Sequence, residues 1–242
     1  MSSTEQLDDA GQAGCTVRDL ADMEARLAQG MKVVEHLILA ALLECCSVSQ
    51  FEQLKSSGIV EDLRALCSED ALTFASKDPA SATDIELVVR TSTSYSAVLH
   101  YRIAHWIYQG MQSPEYVMLA AMVSRRGKLL SGAEIHFRST IGKRFVLDHG
   151  YGTVIGETAV IGDDCYILGG VTLGSRQIAQ NTSEPRHPHL GDRVQVGMNA
   201  CLLGHIHVGD DAFIGAGCLV NRDVLSGQKI TLVGGYASPY LT

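Results

Sequence analysis

Two short stretches of this 242-residue chain carry side chains able to do chemistry. The first is Asp148-His149, a carboxylate next to an imidazole. An imidazole changes its protonation close to neutral pH, which suits it to proton transfer. The second is Arg186-His187, set between Pro185 and Pro188 at the end of a polar run, residues 175–189. The formal net charge is −8, so no global basic field exists to gather nucleic acid or an anionic membrane. An anionic ligand must therefore be held by local donors. A bland reading stands beside each pair: a lone His most often packs or lies on the surface, and Arg186 with His187 could be a plain loop clasp.

Other chemistry is thin. Seven cysteines include no C-x-x-C pair, and a bond between the adjacent Cys45 and Cys46 would be strained. A structural zinc site is not expected, and a reduced, cytoplasmic protein is. His205 and His207 alternate with no third ligand and read as surface residues, so no metal is assigned. Apolar residues make up 46% and charged residues 19%, which fits a globular chain and excludes a disordered one. No run approaches the roughly 18 apolar residues of a spanning helix. The opening MSSTEQLDDAGQAG has no basic start or apolar core, so no secretion signal is expected.

The elements that must position these residues fall into two halves. Residues 1–14 read as a solvated tail, 15–130 as an α-helical domain and 131–242 as a β domain. Leu20, Met23, Leu27, Met31 and Val34 recur at helical spacing. Further helical segments are expected over 30–46, 51–67, 83–109 and 113–129, separated by Gly30, Ser47 to Gln50, Asp78-Pro79 and Gly110. The second half has a period of six. From Leu190 it reads LGDRVQ, VGMNAC, LLGHIH, VGDDAF, IGAGCL, VNRDVL, each six opening on an aliphatic. A small or apolar residue sits four places on, a slot that Cys165 and Cys218 occupy for packing. Earlier sixes open at Ile135, Ile141, Leu147, Ile155, Ile161 and Leu173, with a two-residue misfit between Leu147 and Ile155. Hexapeptide periodicity predicts a parallel β-helix, in which stacked coils bury a column that no single coil can bury alone. Residues 175–189 must leave that column as a protruding loop, where function often resides.

Several motifs together resemble serine O-acetyltransferase. These are Asp148-His149-Gly150, Val154-Ile155-Gly156-Glu157-Thr158-Ala159-Val160, Val171-Thr172-Leu173-Gly174 and Arg186-His187-Pro188, with Asp78-Pro79-Ala80 and Tyr101-Arg102-Ile103-Ala104-His105-Trp106 in the helical half. The resemblance covers roughly residues 60–225 and implies an α+β chain, an α-helical domain followed by a left-handed β-helix with three sixes per coil. It further implies trimers, or hexamers paired through the helical domains. Acetyl-CoA is the implied co-substrate, lying between neighbouring β-helices, with no permanently bound cofactor. The implied reaction moves an acetyl group to the serine hydroxyl for cysteine biosynthesis. By the same resemblance His149 is the base and Glu134 its orienting carboxylate. Asp78 and Asp148 hold the amino acid with Arg186 and His187 from the loop, and Gly174, Ser175, Met198 and Ala216 line the CoA groove.

Departures from the family pattern point to a divergent member. Glu134 stands where the family has Asp, and Phe137 replaces the Pro of I-H-P. The Gly-Gly-Thr-Gly-Lys turn is Gly174-Ser175-Arg176-Gln177-Ile178, and Met198 replaces a small Ala. Thr93-Ser94-Tyr95-Ser96-Ala97 replaces Lys-Gly-Phe-His-Ala. The sequence ends Pro239-Tyr240-Leu241-Thr242 without the long Ile-terminated tail that docks on a partner sulfhydrylase, so that partnership is not expected. Two alternatives stay open: the same chemistry on another hydroxy amino acid or acyl donor, and a catalytically silent β-helix acting as an assembly partner. Glu157 is expected to make a structural turn contact.

Overall fold

The computed structural model describes residues 17–179 and 185–232, so the first 16 residues, residues 180–184 of the expected loop and the last ten lie outside the described residues. Among the described residues six α-helices come first: α1 (Val17–Cys45), α2 (Val48–Ser56), α3 (Ile59–Lys77), α4 (Ile85–Thr91), α5 (Thr93–Gly110) and α6 (Pro114–Ser131). Their starts are chemically marked. Ser47 and Gln50 form a capping box on α2, Asp84 accepts from the Glu86 and Leu87 amides, and Ser113 precedes Pro114 at the start of α6. No helix of the described residues is long and apolar enough to cross a membrane.

The helix boundaries correct the sequence reading in three places. Gly30 does not break α1. It lies against α4, where a Cβ would come within 2.6 Å of Ile85 Cγ2, so it permits a close helix crossing. The 51–67 segment is divided at Gly58, whose φ of +88° ends α2 and starts α3. The 83–109 segment is divided at Ser92, whose hydroxyl accepts from the Tyr95 amide and caps α5.

Among the described residues, fourteen short strands then wind into a three-sided prism. The first face stacks β1 (Glu134–Ile135), β4 (Val154–Ile155), β7 (Thr172–Gly174), β10 (Cys201–Leu203) and β13 (Leu219–Val220). The second stacks β2 (Thr140–Ile141), β5 (Val160–Ile161), β8 (His189–Leu190) and β11 (His207–Val208). The third stacks β3 (Val146–Asp148), β6 (Tyr166–Leu168), β9 (Gln195–Val196), β12 (Phe213–Ile214) and β14 (Lys229–Ile230). All pairings are parallel, and the fold is the expected one: a helical domain followed by a left-handed β-helix. The aliphatic that opens each six points inward, and Ile155, Ile167, Leu173, Leu190, Leu202 and Ile214 are fully buried. Each such side chain contributes about 1.5–3 kcal/mol of burial. At one corner Asp163, Asp192 and Asp210 each accept an amide of the preceding coil, at 2.8–2.9 Å.

The register explains the two irregularities of the repeat. Glu134 pairs with Val154, twenty positions on, whereas Val154 pairs with Thr172, eighteen on. The two extra residues swell the turn after Asp148, where His149 has φ +50° and Gly152 φ +78°. Thr172 pairs with Cys201 twenty-nine positions on, so the column continues past the inserted loop without a shift of face.

A buried ion pair joins the two halves. Arg102 of α5 meets Asp70 of α3 through Nε at 2.9 Å and Nη2 at 3.2 Å. The same guanidinium donates to the carbonyls of Ile141 and Gly142 in the first coil, and Asp70 accepts the Phe145 amide at 2.9 Å. Both side chains are buried. Arg102→Ala leaves Asp70 charged and unpaired, and should lower unfolding free energy by about 3–5 kcal/mol in denaturant titration at fixed protein concentration. A loss under 1 kcal/mol would show that the joint does not depend on this pair.

Candidate active site

The turn after β3 places His149 at the prism edge where the third face passes into the first, here the front edge. Its imidazole is 71% exposed, and its Nε2 lies 3.8 Å from Asp148 Oδ2. Asp148 is much less exposed, at 17%, and the same Oδ2 accepts a 2.8 Å hydrogen bond from the Tyr166 hydroxyl. Gly150 donates its amide to Ser94 Oγ at 2.9 Å, which ties the swollen turn to the start of α5.

Asp78 arrives from the other domain. It closes α3 and caps the short turn Pro79–Ser81, with Oδ1 accepting the Ala80 amide at 2.9 Å. A cavity of about 470 Å³ opens where the helices meet the first coil, and Asp78, Asp148, His149, Ser94 and Tyr151 line it. In both carboxylates the second oxygen takes no hydrogen bond from any described residue. Two anionic oxygens and an imidazole in one cavity suit a small ligand that carries a cation and an ionisable hydroxyl.

Arg186 and His187 stand elsewhere on the same chain. They occupy the rear edge, where the first face passes into the second. Thr158 Oγ1 accepts the Arg186 amide at 2.9 Å and the His187 amide at 3.2 Å. The Thr158 amide donates to His187 Nδ1 at 3.1 Å, with Oγ1 2.8 Å from the same nitrogen, so that ring nitrogen acts as acceptor. His187 is buried, and burial, then the Arg186 charge, holds its pKa below the ordinary imidazole range. Glu157 does more than turn the chain: it accepts from Arg186 Nη2 at 2.5 Å and Arg138 Nη1 at 2.7 Å. The Arg186 bond, more than any other contact, holds its carboxyl below the usual range. Gly156 lies beneath the His187 ring, where any Cβ would penetrate it.

The residues implied for CoA divide in the same way. Gly174 and Ser175 sit at the rear edge, where a cavity of about 310 Å³ is lined by Ser175, Arg176, Arg186 and His205. Met198 and Ala216 sit on successive coils of the front edge, where the Gly217 amide donates to the Met198 carbonyl at 2.8 Å. Both side chains are exposed, Met198 at 40%. Glu134 does not reach His149 here. Its carboxylate is taken by Lys128 of α6, and the carboxylate within 4 Å of His149 is that of Asp148. The longer Glu side chain projects from the first face toward α6, whose last turn supplies the cation.

Sequence reasoning missed Tyr166, Ser94 and Thr158. The signal for Tyr166 lay in the register: Val146 pairs with Tyr166, which puts the phenol beside the strand that ends in Asp148. Among the described residues no group of three or more His, Cys, Asp or Glu could hold a metal ion.

This is the architecture of hexapeptide-repeat transferases, and residues 187–222 match the bacterial transferase hexapeptide (six repeats) family. The chain is 40% identical over 158 residues to a serine acetyltransferase of Synechococcus elongatus, covering 65% of this chain and 61% of that one. It is 40% identical over 159 residues to that of Bacillus pumilus, covering 66% and 70%. The serine acetyltransferase of Brucella abortus, solved in complex with Coenzyme A, superposes with a TM-score of 0.68 at 29% identity, covering 80% of this chain and 75% of that one. The chain belongs to the serine acetyltransferase family. It spans 61% of the length of the Synechococcus relative.

The loop clasp carries a pH signature. A free imidazole takes a proton near pH 6.5 and the folded His187 resists it, so the clasp's stability is full above that value and is lost as pH falls below it. Hydrogen-exchange protection of the Arg186 and His187 amides should fall between pH 7 and pH 5. Protection that stays flat over this range would contradict the clasp.

Proposed function

We propose that the chain transfers an acetyl group from acetyl-CoA to the hydroxyl of L-serine, giving O-acetylserine and CoA. The observation that carries this reading is the convergence of Asp78, Asp148 and His149 on one cavity, in a chain of this family. A serine hydroxyl is a weak nucleophile at neutral pH. His149 removes its proton as the oxygen attacks the thioester carbonyl. The C–S bond then breaks, and the imidazolium returns the proton to the CoA sulfur. Asp78 and Asp148 take the substrate ammonium, and Arg186 with neutral His187 takes its carboxylate. Glu134 serves as orienter in this reading only by exchanging its Lys128 contact for the imidazole.

The site is shared between copies of the chain. His149, Met198 and Ala216 lie on the front edge, while Gly174, Ser175, Arg186 and His187 lie on the rear, with the first face between them. One outward row of that face beyond Glu134 is Val154, Thr172, Cys201 and Leu219, all uncharged, and Gly174 and Leu203 beside it are uncharged too. Packing this face about a threefold axis closes a ring in which each front edge meets the rear edge of the next copy. Trimers, or hexamers joined through the helices, follow. Acetyl-CoA lies along that seam, past Met198, whose bulk narrows the groove. The chain works in the cytoplasm, in keeping with six described cysteines that are all unpaired.

A thiol-release assay with acetyl-CoA and a panel of hydroxy amino acids tests the reading, with release expected for serine. Release only with another acceptor or acyl donor would move the activity to that pair, and none with any would leave a silent assembly partner. His149→Ala should lower turnover by about 10²–10⁴-fold with the oligomer intact. Glu134→Gln should cost less, and an unchanged rate there would make Glu134 a spectator.

A further inference from the structure

We infer that Tyr166 is a positioning residue that aims Asp148 at the amino-acid acceptor. The inference rests on the acetyl-transfer reading above. Asp148 ends β3 and could rotate about its terminal torsion, presenting either oxygen to the cavity. The Tyr166 hydroxyl donates to Oδ2 at 2.8 Å, the oxygen that stands 3.8 Å from His149 Nε2. With Oδ2 engaged, Oδ1 is left to meet the ammonium together with Asp78. The phenol is well placed to be a fixed donor. Its ring packs between the helical core and the third face, on the strand directly beside β3. Burial and the Asp148 bond both push its pKa far above the ordinary phenol range, so it donates at every working pH.

A hydroxyl so placed has a specific consequence. It bonds Asp148 and does not itself line the cavity that holds His149, so its removal should spare the chemical step and the donor. It loosens the carboxylate that captures the acceptor, so its removal weakens acceptor binding. Tyr166→Phe keeps the packed ring and deletes only the donor. The KM for serine should rise about tenfold, with kcat and the KM for acetyl-CoA within about twofold. Calorimetric serine binding should weaken in parallel, with thermal stability kept. In an Asp148→Asn background the Tyr166→Phe change should add little, because the carboxylate it positions is gone.

An active wild type whose serine KM and affinity do not move in Tyr166→Phe would overturn the assignment and leave the acetyl-transfer reading standing. So would an equal loss in kcat and both KM values, which marks a structural hydroxyl. A wild type that neither binds nor acetylates serine would overturn the acetyl-transfer reading, and with it this inference.

Discussion

The site depends on one buried contact between domains. Arg102 and Asp70 bond each other, and between them they take two carbonyls and one amide of the first coil. Asp70 lies on α3 two turns before Asp78, and the amide it holds, that of Phe145, directly precedes β3 and Asp148. The pair therefore fixes the distance between the two carboxylates that line the cavity. A buried ion pair is a weak source of net stability, since desolvation offsets most of the attraction. What it supplies here is register: each donor is matched to one acceptor, and a helix shifted by one turn would strand a charge in the core.

The prism imposes the second constraint. A β-helix coil has corners only where its faces meet, and functional groups on different corners cannot meet within one copy. His149 stands on one edge and the inserted loop on another, and the residues that the family resemblance implies for CoA obey the same division. This arrangement makes self-assembly a chemical requirement of the proposed reaction as well as a way to cover an uncharged face. It also gives Thr158 a purpose. Its hydroxyl holds the Arg186 and His187 amides, so the loop is braced on its own coil before any neighbour arrives.

Much of the fold was legible because its period is unlike any helix. Six-residue spacing with an inward aliphatic admits few structures, and the loop at 175–189 was visible as an interruption of it. The misfit near Leu147 was visible too, but its meaning was not. Only the pairing of Glu134 with Val154 shows two residues bulging at His149. Helix breaks were read less well, because Gly30 and Gly58 look alike in sequence. One permits a close crossing and the other a left-handed turn, and tertiary packing decides which. Asp78, Asp148 and His149 were assigned through the family motifs, and the structure brings them together. Tyr166 was invisible because its partner lies eighteen residues away, across a register not yet known. Glu134 was expected beside His149, and the nearby Lys128 has taken it instead.

The most direct test of a site shared between copies is complementation. His149→Ala and Arg186→Ala chains, each nearly inactive alone, would be co-expressed with distinct tags, and mixed oligomers isolated through both. Recovery of about a third of wild-type turnover is predicted, since every mixed closed trimer rebuilds one of its three seams from one intact front edge and one intact rear edge. Mixed oligomers, verified by native mass spectrometry, that stay as inactive as their parents would contradict it.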